Sequence, residues 1–179
     1  GCSAPKYYAA NLHAGAVELF VKDGARLRYS TIENWSKNMY NLNTKRAIIG
    51  SNAKMEWVSG SFGSHVSYLY PSTIMNGDSS NCEFTGITFA GATQDLDTGC
   101  KVIINGSNNS ANVDTKSISK DGGVNTFRSA VTVGRKAENA RVAFSCQSLM
   151  LDNISRSDTI PEMDVRNATA QIGHEATIG

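Results

Sequence analysis

The residues of this chain best suited to chemistry lie in its last third. Cys146 sits in the alternating run RVAFSCQSLML, and His174 stands directly beside Glu175. A soft thiolate, an imidazole and a carboxylate within about thirty residues form a donor set that iron or zinc accepts. Their spacing matches no compact metal motif. Neighbouring residues of a strand face opposite ways, so His174 and Glu175 share one centre only from a bulge or turn, or serve different neighbours. Each also has a plainer reading: a strand thiol packs as a small hydrophobe, and a lone histidine settles at a surface. Cys2, between Gly1 and Ser3-Ala4-Pro5, lies on irregular backbone, where exposure and reactivity are favoured. Cys82 and Cys100, beside the corners NGDSSN and DLDTG, read as structural. Lys45-Arg46 and Arg26/Arg28 offer positive charge to a thiolate or persulfide, or pair equally well with surface carboxylates. Trp35 and Trp57 read as packing residues.

The elements that must position these groups are strands. AVELFVKDGARLRYSTIENWS reads as two strands joined by a tight turn at Asp23-Gly24. Thr44 to Ile49 reads as a further short strand after the polar loop KNMYNLN, while YYAANLHAG is ambiguous. From there the chain repeats. Polar turns open at Gly50, Asn76, Asn105 and Gly134, about 26 to 29 residues apart, and a second corner falls within each interval: GSFGS, GATQDLDTG and KDGG. Asn and Gly crowd these corners because both tolerate the left-handed backbone a sharp turn needs. No stretch carries a useful helical period. A coil of this length cannot bury its own apolar face and must stack on copies of itself. The expectation is therefore an all-β parallel β-helix over 1–179. A two-sheet sandwich is the rival, and the repeat decides against it.

Composition bounds the function. At 179 residues, 40% hydrophobic and 18% charged, the chain has material for one sizeable core. A net charge of +1 gives no electrostatic footprint for nucleic acid. No apolar run approaches a membrane span. Four scattered cysteines without a C-x-x-C pair suit neither a zinc ribbon nor a disulfide scaffold, and read as reduced thiols of a cytoplasmic protein. The start at GCSAP, without an initiator Met or signal segment, reads as an internal piece of a longer protein. No nucleophile elbow, P-loop, H-E-x-x-H or dinucleotide fingerprint is present.

Several passages carry a specific resemblance. GCSAPKYYAANLHAGAVELFV, GARLRYSTIENWS, NTKRA, AKMEW, SRSDTIPEMDVRNATA and GHEAT resemble, in order, the core of the SufB/SufD family of the SUF iron–sulfur cluster assembly system, on the SufB side. The resemblance implies a right-handed parallel β-helix and a non-enzymatic scaffold holding a transient iron–sulfur cluster. It implies partners: the paralogue SufD, the ATPase SufC, and a sulfur donor of the SufS type with SufE or SufU. By matching motifs, Cys146 corresponds to the sulfur-accepting, cluster-building cysteine and Cys2 to the first sulfur acceptor. Glu33, Trp35 and Lys45 match positions along a route between them inside the β-helix. His174 and Glu175 match a polar pair near the SufD interface that serves as further ligands. Gly173 departs from the pattern, standing where many relatives have an acidic residue, and Cys100 stands where relatives commonly lack a cysteine. A SufD-like partner without cluster ligands and a β-helix carbohydrate-active enzyme are the other readings; the latter expects clustered carboxylates on an outer face.

Overall fold

A computed structural model describes residues 9–179. In chain order the strands are β1 (Asn11–Val21), β2 (Arg26–Glu33), β3 (Met39–Ile49), β4 (Lys54–Ser61), β5 (Val66–Leu69), β6 (Ser72–Met75), β7 (Asn81–Ala90), β8 (Asp95–Ile104), β9 (Ser110–Ser119), β10 (Val124–Val133), β11 (Arg141–Met150), β12 (Arg156–Val165) and β13 (Gln171–Ile178). No helix occurs among the described residues. One sheet runs β1-β3-β5-β8-β10-β12, with β6 continuing β5 between β3 and β8; the other runs β2-β4-β7-β9-β11-β13. Every ladder is parallel. Each coil gives one run to each sheet, so the chain winds as a parallel β-helix and the sandwich is excluded.

The register measures the repeat. Tyr40 lies beside Val66, 26 residues on, and Val124 beside Arg156, 32 residues on. The corners fall where the polar turns fall. At the first corner Gly24, Asn52, Ser79, Asn108 and Asn139 take positive φ; at the second, Ser64, Thr93, Asp121 and Gly122 do. Successive first corners bond to one another through the backbone, Asn52 N–H to Asp78 O and Ser79 N–H to Ser107 O. Their approach is close enough to demand glycine: a Cβ at Gly106 would lie 2.2 Å from the Gly77 carbonyl oxygen.

Two details differ from the sequence reading. The Asp23-Gly24 turn does not make a hairpin: β1 and β2 enter different sheets, and the turn is a coil corner whose Gly24 N–H reaches Ser51 O at 2.8 Å. The strand expected from Thr44 begins at Met39, because Asn41 and Asn43 face a polar part of the interior and keep the alternation in a stretch that reads as loop.

The interior has two halves. Around the first corner it is apolar: Val21, Ile49, Met75, Ile104 and Val133 stack in one sheet against Met55, Cys82, Ala111 and Val142 in the other. Near the second corner the inward side chains are hydroxyls, amides and charges, and this half holds the candidate chemistry.

Candidate functional site

Two polar clusters lie inside the β-helix, one in its first coils and one in its last. In the first, Lys45 on β3 and Glu33 at the end of β2 are both buried, with Lys45 Nζ 3.1 Å from Glu33 Oε1. Lys45 also reaches Thr31 Oγ1 at 3.4 Å and stands 5.9 Å from the centre of the Tyr29 ring. Glu33 Oε2 accepts from the Asn41 amide, and Asn41 Oδ1 accepts from Asn43 Nδ2 at 2.8 Å. That engages the Asn41 amide as a donor, so its oxygen also accepts from His13 Nδ1, 2.8 Å away, and the proton sits on Nδ1. His13 lies against Trp35, ring centres 4.6 Å apart. The buried Trp35 Nε1–H has no acceptor among the described residues. Arg46, next along β3, faces outward, and Arg28 pairs across the outer surface with Glu56 at 3.3 Å. Trp57 is a core residue whose Nε1 donates to Thr73 at 2.8 Å.

The second cluster centres on Cys146 of β11. Strand alternation turns its thiol inward with Val142 and Phe144, and it is buried. His174 of β13 is the register neighbour of Phe144, which directs it to the same inner face; its Nε2 lies 3.9 Å from Cys146 Sγ. Glu175 is the neighbour of Ser145 and is exposed on the outer face, so this adjacent pair does divide between two sides. Burial pushes the Cys146 thiol above its ordinary value; a hydrogen bond from Thr115 opposes the rise, and the nearby Asp114 charge adds to it. Among the described residues no group of three or more His, Cys, Asp or Glu side chains converges to hold a metal ion.

The inward ladders join the two clusters. Thr31, Ser59, Gly86, Thr115 and Cys146 are successive register neighbours across five strands, as are Glu33, Ser61, Thr88, Ser117 and Ser148. Four strand spacings separate the ends of each ladder, about 19 Å. Narrow cavities follow these rows. One is lined by Thr31, Asn43 and Lys45, another by Ser61, Thr115, Ser148 and Cys146, and both by Ser59, Leu69, Pro71 and Phe84.

Of the other cysteines, Cys82 and Cys100 line neither cavity. Cys2 lies outside the described residues. Cys82 and Cys100 are buried in the apolar half and, like Cys146, are free thiols. Burial raises the Cys82 thiol to about 11 and the Cys100 thiol well above its ordinary value, and Cys82 donates to Thr73 at 3.3 Å. Sequence reasoning missed His13, Asn41, Thr115 and Ser148. The available signal was the period-two row Asn41, Asn43, Lys45, Ala47, Ile49, which runs polar to apolar on a single face.

The outer face offers a carbohydrate-active enzyme little. Asp97 is clamped by Arg128 at 2.9 Å and by the Tyr70 hydroxyl at 2.6 Å, and Asp158 is held by Arg156 at 2.7 Å.

Comparison with known proteins identifies the family. Residues 1–179 match the family described as SUF system FeS cluster assembly, SufBD core domain. The chain is 44% identical over 178 residues to the iron-sulfur cluster assembly protein SufB of Bacillus subtilis, covering 99% of this chain and 38% of that protein. It is also 44% identical over 178 residues to a SufBD family protein of Staphylococcus saprophyticus, again 38% of that protein. A third SufBD family protein, from Mycobacterium leprae, is 44% identical over 178 residues, 20% of its length. The chain thus spans between about a fifth and two fifths of these relatives. On a match that runs the whole length of its sequence, the chain belongs to the SufBD core-domain family of the SUF iron–sulfur cluster assembly system.

Proposed function

We propose that this chain is the sulfur-accepting core of a SufB-type scaffold, with Cys146 as the residue on which a nascent iron–sulfur cluster is built. One observation carries the reading: Cys146 ends an interior row that begins at Thr31, which the buried, Glu33-paired Lys45 reaches at 3.4 Å, and it meets an imidazole there. The chemistry is an exchange. The Cys146 sulfur attacks the outer sulfur of an incoming persulfide and a new S–S bond forms. The carrier leaves with the electron pair of the broken S–S bond and takes up the thiol proton of Cys146. Electrons balance without an oxidant. Lys45, Glu33 and Trp35 line the early part of the route, and Cys2 is the first acceptor.

Iron and sulfide are cargo here. Cys146 and His174 supply two donors, fewer than the four that clusters commonly take from protein. The remainder comes from sulfide or from a partner; Glu175, on the outer face of β13, does not share the centre with Cys146 and His174. Membership of the SUF assembly family favours a complex with the paralogue SufD, with ATP hydrolysis in SufC, sulfur from SufS with SufE or SufU, and a cytoplasmic setting. A scaffold of this kind needs no catalytic turnover of its own.

Anaerobic reconstitution of the full-length protein with SufC and SufD, using ferrous iron and sulfide, tests the assignment by visible absorbance. Wild type gains the chromophore, Cys146→Ser loses it, and Cys82→Ser keeps it because a hydroxyl replaces a core thiol already bonded to Thr73. Equal colour in wild type and Cys146→Ser would remove Cys146 from the site.

A further inference from the structure

A persulfide on Cys146 needs somewhere to put its outer sulfur. That atom is anionic or a weak acid, and in a buried site it requires hydrogen-bond donors. The cavity that Cys146 lines supplies them. Thr115 is its register neighbour on β9, and Ser148 lies two residues along β11 on the same inner face. Ser117 donates to Ser148 at 2.9 Å, which leaves the Ser148 proton for another acceptor. Ser61 and Asn125 line the same cavity; both residues are 3% exposed, and Ser61 Oγ and Asn125 Oδ1 have no partner among the described residues. Buried polar groups are almost always paired, so these two orphans mark a cavity built for a polar occupant. The Asn125 orientation is fixed, since its Nδ2 donates to Ile118 O and to Ser119 Oγ, both at 2.9 Å. Its Oδ1 is therefore a buried acceptor left unpaired in a residue of the cavity wall.

We propose that the hydroxyls of Thr115 and Ser148, the latter polarised by Ser117, form a binding subsite for the outer sulfur of a Cys146 persulfide. This deepens the reading above and rests on it. The subsite holds the sulfur that Cys146 has accepted until iron arrives, and it slows loss of that sulfur to passing thiols. Ser61 and Asn125, in the wall of the same cavity, serve the occupant's solvent or its S–H. Thr115 and Ser148 act through hydrogen bonds to the transferred atom, and no new covalent step is involved.

The test uses the full-length protein loaded by a cysteine desulfurase and its sulfur carrier with cysteine. Persulfide on Cys146 is read by mass spectrometry after alkylation, as the increment of one sulfur on its peptide, followed over time in the presence of a small thiol. Thr115→Val and Ser148→Ala should shorten the persulfide lifetime about tenfold each, the scale of losing one hydrogen bond to a charged acceptor. Thr115→Ser should restore it, because it keeps the hydroxyl and loses only a methyl group. Wild-type lifetimes in both Thr115→Val and Ser148→Ala would overturn the subsite while leaving Cys146 as acceptor. A Thr115→Ser protein as impaired as Thr115→Val would also overturn it, assigning Thr115 to packing. If wild type never carries sulfur on Cys146, the functional reading falls and the subsite with it.

Discussion

At the residue scale, the Lys45–Glu33 pair shows how far chemistry can depart from composition. Lysine and glutamate are rarely buried, and then only when paired. Here each is about 90% removed from solvent, and both have further polar neighbours in Thr31 and Asn41. Breaking such a pair costs more than forming it gains, because the survivor is left as an uncompensated buried charge. Lys45→Met should therefore destabilise the fold by about 3 kcal/mol. Adding Glu33→Gln should recover most of that loss, since the remaining side chain is neutral and still offers Asn41 an acceptor. Denaturant midpoints of the single and double variants measure this; a double variant no more stable than Lys45→Met would show that the pair does not act as a unit. The inward placement of Cys146 and the division of His174 from Glu175 were legible from simple alternation. The Asn41 partner of Glu33, and the His13 that bonds Asn41 in turn, were not, because these contacts span 8 and 28 residues that no local pattern encodes.

At the scale of elements, the corners were the most legible part of the chain and the strands between them less so. Asn52, Asn108 and Asn139 take the positive φ for which asparagine is suited, which is why turn composition reveals the repeat. Strand starts are harder. A half-polar interior removes the contrast between inward and outward residues on which period-two reading depends, and for that reason β3 begins five residues before its apolar pattern does. Two glycines separate the demands of corner and strand. Gly106 abuts the Gly77 carbonyl, so Gly106→Ala forces two coils apart and should cost about 2 kcal/mol, within the usual range for overpacking. Gly173, on the last strand, lies on the outer face beside Glu175, and a Cβ added there would meet nothing within 4 Å. Gly173→Glu, which supplies the acidic residue expected from the family resemblance, should be neutral or stabilising by up to about 1 kcal/mol, because glycine weakens a strand interior. Thermal melts of the two variants side by side decide the matter; equal losses would mean that close approach at the corner is not what limits Gly106.

The whole molecule is a stack, and the proposed function depends on the stack having an inside. Each coil contacts only its neighbours, and the inward-row residues Met163 and Val165 of β12 and Ile178 of β13 are exposed. Cys146 lies on β11, next to β13, while Lys45 lies several coils away on β3. If sulfur travels between them, it must pass Ser59, the inward residue of β4 that lines both cavities. Ser59→Leu puts a branched side chain into that passage, at a cost of about 1–3 kcal/mol from overpacking. The expected outcome is a split between two ways of supplying sulfur. Persulfide delivered by the desulfurase should no longer reach Cys146, whereas iron and free sulfide, small enough not to need the passage at Ser59, should still build the chromophore. Loss of both together with a lowered melting temperature would report a damaged fold. Retention of both would show that sulfur reaches Cys146 without crossing the interior, and that the hydroxyl rows serve the site only at their Cys146 end.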